Sequence, residues 1–310
     1  MARPILLDCD PGHDDALAIL LALSRPELDV LAITTVAGNA PLAATTRNTL
    51  SVLTLIGRTD VPVAPGADRP MVREASTAAS VHGDSGLEGA DLPAPAAVAR
   101  SEGAVECMAR SIRQSPQPVT LVATGPLTNV ALFLGAHPEL ASRVAGICFM
   151  GGSMGEGNWT ASAEFNIWAD PEAAARVMRS GCSVTMVGLD VTHQARITRS
   201  QTSELDRLGS ATGRIFADLL RFFARYHERR YGWDGSPIHD AVAIAALLDA
   251  PIVTTTPYRV DVETTSELTR GRTVVDRERL AGRDANAHVA TSIDRDAFLE
   301  LLLAALAEYP

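Results

Sequence analysis

The stretch "ILLDCDPGHDDALAILLAL", from Ile5 to Leu23, joins two apolar runs through a short acidic segment. The first run, Ile5–Asp8, predicts a buried β-strand, and the second, Asp14–Leu23, predicts a buried helix. A strand that leads directly into a helix is the beginning of a βα unit. This stretch therefore indicates an α/β protein.

The rest of the chain repeats this alternation of strands and helices. Further strands are predicted at Val30–Val36, Val61–Ala64, Ile147–Met150 and Val184–Val187, and "VTLVATGPLTN" (Val119–Asn129) predicts a strand that turns into a helix. Further helices are predicted at Ala43–Leu55, Ala173–Met178, Arg214–Tyr231, His239–Leu248 and Arg295–Ala307. Such alternation predicts βαβ units and a mostly parallel sheet. The length alone allows one large α/β domain or two smaller ones. Met71–Pro95 and Met150–Phe165 read as long loops, which in compact domains are usually functional or disordered.

The composition excludes several classes of protein. With 310 residues, of which 46% are hydrophobic, the chain is globular, and its net charge of -10 argues against a nucleic-acid partner. No apolar run is long enough to span a membrane, and the N-terminus lacks a signal-peptide pattern. The four cysteines form no CxxC pair, which suits reduced thiols in a cytoplasmic protein (Cys9, Cys107, Cys148 and Cys182).

The acidic segment "DCDPGHDDA" holds four carboxylates, those of Asp8, Asp10, Asp14 and Asp15. A helix N-terminus explains Asp14 and Asp15 in part, because it attracts negative charge. It does not explain the two acids at the strand end, whereas a divalent cation bound by oxygen atoms does. The absence of paired His or Cys disfavours zinc and favours calcium or magnesium. An EF-hand loop fails, because His13 and Ile19 stand where that loop requires Gly and Glu.

A phosphohydrolase of the haloacid dehalogenase type is an alternative explanation for the acids. In such an enzyme Asp8 would be the nucleophile and Asp10 the acid. That family places a hydroxyl residue soon after its second Asp and usually a Lys on the phosphate. Here Pro11–Gly12–His13 follow Asp10, and the chain contains no Lys. The alternative is therefore the weaker one.

Polar clusters follow several of the predicted strands. They are Asp8–Asp15, Ala37–Asn39, Thr124–Gly125 and Gly151–Asn166. In open α/β sheets, ligands bind beyond the carboxyl ends of the strands. We therefore expect these clusters to form one site.

The acidic segment resembles the signature D-x-D-P-G-x-D-D-A of the calcium-dependent nucleoside hydrolases, the inosine–uridine-preferring type. The resemblance continues in order along nearly the whole chain, through "AGN" (37–39), "VHGDSGLEG" (81–89), "ATGPLTN" (123–129), "MGG" (150–152), "AEFNIWADPEAA" (163–174) and "IHDAVAIA" (238–245). It implies hydrolysis of the N-glycosidic bond of ribonucleosides to ribose and free base, in nucleoside salvage. It also implies a single α/β domain, residues 1–310, with a largely parallel, Rossmann-like sheet flanked by helices. The expected assembly is a homo-dimer or homo-tetramer.

The resemblance further implies a role for particular residues. Asp10, Asp15, the Thr124 carbonyl and Asp240 would hold Ca²⁺, with Asp8 as support behind them. Asp10 would also be the general base that accepts a proton from water. The residues implied to bind ribose are Asp14, Asn39, Asn158, Glu164 and Asn166.

The leaving base develops negative charge, so it needs either a proton or strong stacking. The resemblance implies His239 as the donor of that proton and His82 as a second base-side residue, with Tyr231 and His227 as candidates for the base edge. Purine-specific relatives carry Trp at the position of His239, so a pyrimidine-preferring or non-specific enzyme is expected. The remaining histidines are interpreted as structural, and Trp159 and Trp168 as loop packing (His13, His137, His193 and His288). A nucleoside-binding protein without turnover stays an alternative, although none of the expected carboxylates is lost.

Overall fold

The fold grows from the strand and helix of the first βα unit. The computed structural model describes residues 2–310. The strands are β1 Arg3–Cys9, β2 Leu28–Thr35, β3 Val63–Pro65, β4 Val119–Ala123, β5 Val144–Met150, β6 Val184–Val187, β7 Arg196–Ile197, β8 Ser236–Pro237, β9 Val253–Val262, β10 Thr273–Asp276 and β11 Ala287–Ile293. The helices are α1 His13–Ser24, α2 Leu42–Leu55, α3 Ala79–His82, α4 Ala104–Gln114, α5 Thr128–Ala136, α6 Phe165–Ala169, α7 Pro171–Met178, α8 Leu189–Thr192, α9 Arg199–Asp206, α10 Ala211–Tyr231, α11 His239–Ala245 and α12 Arg295–Ala307.

The main sheet has nine strands in the order β10-β9-β11-β6-β5-β4-β1-β2-β3. Every neighbouring pair from β11 to β3 is parallel, whereas β9 pairs antiparallel with both β11 and β10 at one end of the sheet. Strands β7 and β8 form a separate antiparallel pair. The predicted α/β class, with a largely parallel sheet flanked by helices, is confirmed.

Apolar side chains cover both faces of the sheet, as a parallel sheet between helices requires. In β1 the side chains of Ile5 and Leu7 belong to one buried cluster, and that of Leu6 belongs to another. Helix α1 is buried from His13 to Ala22, because it packs against both α11 and α12. This explains why its sequence is apolar on all sides except for its first, acidic turn.

The order of the strands fixes the position of the site. The chain adds β2 and β3 on one side of β1, and then continues with β4, β5 and β6 on the other side. The carboxyl ends of β1 and β4 lie side by side at this switch in direction, which is where ligands bind in open α/β sheets. The acidic segment follows β1, and Thr124 follows β4.

The sequence analysis missed the helices α3, α4, α6, α8 and α9 and the strands β7 to β11. Helix α3 lies within Met71–Pro95, which was expected to be a loop. Strand β9 contains Pro257, and a proline within a run argues against a strand. Pro257 lies outside the residues 259–262 that pair with β10, so its missing N–H breaks no bond to that strand.

Among residues 2–310, no helix combines the length and the apolar character needed to cross a membrane.

Candidate active site

Three buried carboxylates meet beyond the carboxyl edge of the sheet. Asp14 and Asp15 lie in the first turn of α1, and Asp240 lies in the first turn of α11. One oxygen of each lies within 4.8 Å of the others. Two chain segments that are far apart in sequence thus bring like charges together, which costs free energy unless protons or a cation neutralise them.

Asp15 is held by hydrogen bonds on both of its oxygens. Oδ1 accepts from the Thr124 hydroxyl at 2.8 Å and from the Asp10 backbone N–H at 3.3 Å. Oδ2 accepts from the Gly12 N–H at 2.9 Å and from Nδ2 of Asn39 at 3.2 Å. These donors come from the ends of β1, β2 and β4, so the carboxylate ties three strand ends together.

Asp10 lies beside this cluster but outside the group of three. Its Oδ2 accepts from the Asn39 N–H at 2.6 Å, whereas its buried Oδ1 has no hydrogen-bond partner within residues 2–310. Glycine backbone approaches both oxygens. A Cβ at Gly38 would lie 2.0 Å from Oδ2, and one at Gly125 would lie 2.6 Å from Oδ1. The glycines of "AGN" and "ATGPLTN" therefore make room for Asp10.

Asp8 lies behind the cluster, at the end of β1. Its Oδ1 accepts from the Thr34 hydroxyl at 2.6 Å and from Nδ2 of Asn129 at 2.8 Å. Asn129 also accepts the Ala67 N–H at 2.8 Å, so it connects Asp8 to the segment after β3. This arrangement agrees with a supporting position for Asp8 rather than a place in the cavity.

Burial dominates the electrostatics of these acids. It raises the pKa of Asp14 to about 8, with the charge of Asp15 adding to the effect, and it raises the pKa of Asp8 to about 7. Burial and neighbouring carboxylates also raise the pKa values of Asp10 and Asp240. All of the donors are oxygen atoms, which is the donor set of a hard divalent cation. The residues present thus fit calcium or magnesium.

A cavity of about 620 Å³, including its opening to solvent, lies above the carboxylates. The residues predicted to bind ribose all line it, namely Asp14, Asn39, Asn158, Glu164 and Asn166. The structure thus brings together residues from α1, from the β2–α2 connection, from the segment between β5 and α6, and from α6 itself.

Glu164 is the N-cap of α6, and its carboxylate is nearly saturated with donors. It accepts from the N–H groups of Asn166 at 2.9 Å, Gly152 at 3.0 Å and Ile167 at 3.2 Å. Burial nevertheless raises its pKa to about 7. Asn166 in turn donates from Nδ2 to the Thr124 carbonyl at 2.7 Å, so the two sides of the cavity are connected.

Histidine and tyrosine side chains line the other part of the cavity, including His82, His227, Tyr231 and His239. Nδ1 of His239 lies 2.7 Å from the Thr192 hydroxyl. Burial and the neighbouring imidazoles of His193, His227 and His82 lower the pKa of His239. This favours the neutral ring and makes the protonated ring a stronger acid.

The cavity also contains residues that the sequence analysis did not assign to it. His193 was expected to be structural and Trp159 to pack a loop, yet both line the cavity, as do Phe165, Phe223 and Tyr226. His193 follows β6 through the short helix α8, so it too lies beyond a strand end. His193 could have been predicted as a site residue, because ligands bind beyond the carboxyl ends of the strands and β6 is one of them. The aromatic residues carry no comparable signal, because apolar side chains on a helix also form ordinary core.

Comparison with known proteins decides the family. The family described as inosine-uridine preferring nucleoside hydrolase matches residues 5–300. The chain belongs to this family. A pyrimidine-specific ribonucleoside hydrolase, RihA, of Salmonella arizonae is 53% identical over 100% of both chains, and RihA of Citrobacter koseri is 52% identical over 100% of this chain and 99% of its own. The solved purine-preferring ribonucleoside hydrolase from Gardnerella vaginalis has a TM-score of 0.93 at 33% identity, covering 99% of this chain and 98% of its own.

The nucleoside hydrolase predicted from the sequence motifs is thus confirmed, as is an enzyme that acts on N-glycosyl bonds of ribonucleosides. The phosphohydrolase alternative is set aside, because the family match covers the acidic segment and nearly all of the chain.

Proposed function

We propose that this nucleoside hydrolase cleaves pyrimidine ribonucleosides to ribose and free base in a calcium-dependent reaction. The observation that carries the proposal is the buried, unpartnered Oδ1 of Asp10 beside the carboxylates of Asp14, Asp15 and Asp240. A buried carboxylate oxygen that has no hydrogen-bond partner and lies next to other acids destabilises the protein when no cation is bound. A cation and a water molecule beside Asp10 would supply the missing partners.

Asp10, Asp15, the Thr124 carbonyl and Asp240 are the proposed calcium ligands. When bound, calcium would neutralise these acids, orient the ribose diol and polarise the attacking water. The cluster also contains Asp14, which the family resemblance assigns to ribose. A position next to the metal ligands suits that assignment, because ribose hydroxyls and the metal would then share one wall of the cavity.

Asp10 is the proposed general base. Its Oδ2 is engaged by Asn39, which leaves Oδ1 to accept the proton of the attacking water. Asn39, Asn158, Glu164 and Asp14 bind the ribose hydroxyls, and Asn166 completes the set. Removal of one hydroxyl from the substrate would leave buried polar groups unpaired, so deoxyribonucleosides are poor substrates.

His239 is the proposed proton donor to the leaving base. The Thr192 hydroxyl engages Nδ1 and thereby fixes the orientation of the ring, while the ring lines the cavity. His82 and Tyr231 are proposed to contact the substrate on the same side. The preference for pyrimidines rests on the relatives named pyrimidine-specific, which share 52–53% identity, against 33% for the purine-preferring structure.

We further propose that residues 1–310 act as one domain, in a cytoplasmic homo-dimer or homo-tetramer that serves nucleoside salvage. The family match over residues 5–300 supports the single domain. All four cysteines are free thiols, which agrees with a reducing compartment. Light scattering on the purified protein measures the oligomeric state.

The proposed reaction is tested with uridine, cytidine, inosine, adenosine and 2′-deoxyuridine at equal concentration, before and after calcium is stripped and restored. We expect calcium-dependent release of ribose, fastest from uridine and cytidine and slowest from 2′-deoxyuridine. Full turnover without calcium, when no other divalent cation is present, rejects the metal assignment. Faster cleavage of inosine than of uridine rejects the pyrimidine preference.

A further inference from the structure

His193 lines the cavity together with His239, the proposed proton donor to the leaving base. The centroids of the two rings are 5.5 Å apart, and the ring planes are inclined by 60°. The ring of Tyr231 is the other neighbour of His193 in the cavity wall, at a centroid distance of 6.2 Å. Because His239 is proposed to reach the leaving base, a ring this close to it lies at the base end of the cavity.

The ring nitrogens of His193 are free within residues 2–310. The side chain makes ring contacts there, but no hydrogen bond or ion pair engages Nδ1 or Nε2. His82, His227 and His239 differ, because each has a ring nitrogen within hydrogen-bond distance of another residue. Burial lowers the pKa of His193 to about 4, so its ring is neutral near neutral pH. It therefore brings one unused N–H and one unused lone pair to the cavity wall.

Aromatic packing holds the His193 ring in place. The ring lies nearly perpendicular to that of Trp233, at 72°, with the centroids 5.1 Å apart. Trp233 follows Gly232, which ends α10 at a φ of 70°, a left-handed conformation that favours glycine. After this turn Trp233 stacks on Tyr231 at 4.4 Å, and the Arg196 guanidinium lies 4.8 Å from the centroid of the Trp233 ring. A ring that is packed in advance loses little conformational entropy when it binds a ligand.

The polar edge of a pyrimidine base matches the two groups that the His193 ring offers. Uracil presents two carbonyl oxygens and an N–H, whereas cytosine presents a carbonyl oxygen, a ring nitrogen and an amino group. A neutral imidazole pairs with either base, through its N–H or through its lone pair. We propose that His193 hydrogen-bonds the polar edge of the base and recognises both uridine and cytidine. The inference rests on the proposed function, since the ligand is a pyrimidine ribonucleoside.

Binding without turnover tests this contact. Pseudouridine carries a uracil base that is joined to ribose by a carbon–carbon bond, so hydrolysis of an N-glycosidic bond does not consume it. Calorimetry of the calcium-loaded enzyme measures the Kd for pseudouridine and for ribose. We expect His193→Phe, which keeps an aromatic ring beside Trp233, to weaken pseudouridine binding about tenfold or more and to leave ribose binding unchanged. His193→Gln keeps a donor and an acceptor, so it should bind pseudouridine more tightly than His193→Phe does.

His288→Phe is the matched control for these measurements. His288 is exposed on β11 and does not line the cavity, so the same substitution there should change neither Kd. An unchanged Kd for pseudouridine in His193→Phe overturns the proposal. An equal loss of ribose binding overturns it as well, because the ring would then only support the cavity wall. Failure of His193→Gln to bind pseudouridine more tightly than His193→Phe contradicts the hydrogen bond.

A crystal structure of the calcium-loaded wild-type enzyme with pseudouridine tests the contact without any variant. We expect a ring nitrogen of His193 within about 3.2 Å of a polar atom of the base, and the atom contacted identifies the edge that is recognised. If no polar atom of the base lies within about 3.5 Å of either nitrogen, the proposal is overturned, whether or not the variants fold.

Kinetics with the two natural substrates test the shared recognition. His193→Phe should lower kcat/KM for uridine and for cytidine by similar factors, and a loss confined to one of them contradicts a ring that pairs with both. Absence of calcium-dependent uridine cleavage by the wild-type enzyme would instead reject the proposed function. The binding and crystallographic results would still stand in that case, so the two failures are distinguishable.

Discussion

The backbone N–H of Asn39 donates to Oδ2 of Asp10 at 2.6 Å, and this bond makes the two oxygens of the carboxylate different. Oδ2 is occupied, whereas Oδ1 is buried without a partner within residues 2–310. Asn39 also donates from its side chain to Asp15 at 3.2 Å. One residue at the end of β2 therefore orients two acids that follow β1.

Replacement of Asp10 by Asn should abolish most of the turnover while the fold survives. The amide has nearly the same size but cannot take up a proton, and loss of a positioned base costs about 10²–10⁴ in rate. The measurement is kcat for uridine at saturating calcium, with the thermal unfolding curve as a control for folding. A kcat within a few-fold of wild type would remove Asp10 from the role of base.

Gly38→Ala should displace the Asp10 carboxylate by steric repulsion alone. The new Cβ would lie 2.0 Å from Oδ2 of Asp10 and 2.8 Å from the Pro126 ring, so Asp10 has to move. We expect kcat for uridine to fall at least about tenfold, because a small displacement of a catalytic group has large effects on rate. Gly103→Ala is the matched control, since its nearest new contact is at 3.8 Å. Equal activity of the two variants would contradict the geometry around Asp10.

Much of the site could be predicted because the carboxyl ends of parallel strands meet at one edge. Asp10, Asn39 and Thr124 follow β1, β2 and β4, so their proximity follows from strand order alone. Asp240 is different. It lies at the start of α11, far along the chain, and only the family resemblance connected it to the acidic segment.

Other features were out of reach because they depend on tertiary contacts. No sequence pattern indicates that the ring of His13 contacts the ring of His82, or that the hydroxyl of Thr192 contacts His239. Helix α4 is different, because its buried residues are spaced as in an amphipathic helix (Ala104, Cys107, Met108, Ala109, Ser111 and Ile112). The exposed Glu106 and Arg113 lie between them, so this helix could have been predicted from its periodicity.

His239→Ala should discriminate between leaving groups. Natural bases leave with a proton, whereas p-nitrophenolate leaves without one, so kcat should fall far more for uridine than for p-nitrophenyl riboside. Thr192→Val removes only the hydroxyl that contacts Nδ1 of His239. It should lower kcat for uridine less than His239→Ala does and should leave kcat for p-nitrophenyl riboside nearly unchanged. Equal losses on the two substrates in His239→Ala would exclude a role as proton donor.

Asp14→Asn should stabilise the calcium-free protein in a manner that depends on pH. Burial raises the pKa of Asp14 to about 8, above its ordinary value of 3.8. Because the folded state holds the proton more tightly, the contribution of Asp14 to stability is complete below the ordinary pKa and is lost as pH rises towards about 8. The neutral amide does not suffer this loss. The increase in Tm of Asp14→Asn over the wild-type protein should therefore be larger at about pH 8 than at about pH 5.

Calorimetry of the calcium-free proteins at both pH values measures this difference. Asp60→Asn is a suitable control, because Asp60 is exposed and Arg58 lowers its pKa, so the effect there should be small and of opposite sign. Saturating calcium should remove the advantage of Asp14→Asn at high pH, since the cation then neutralises the wild-type cluster. A gain that is the same at both pH values, or larger in acid, would mean that Asp14 ionises freely in the folded protein and that the three carboxylates do not repel one another.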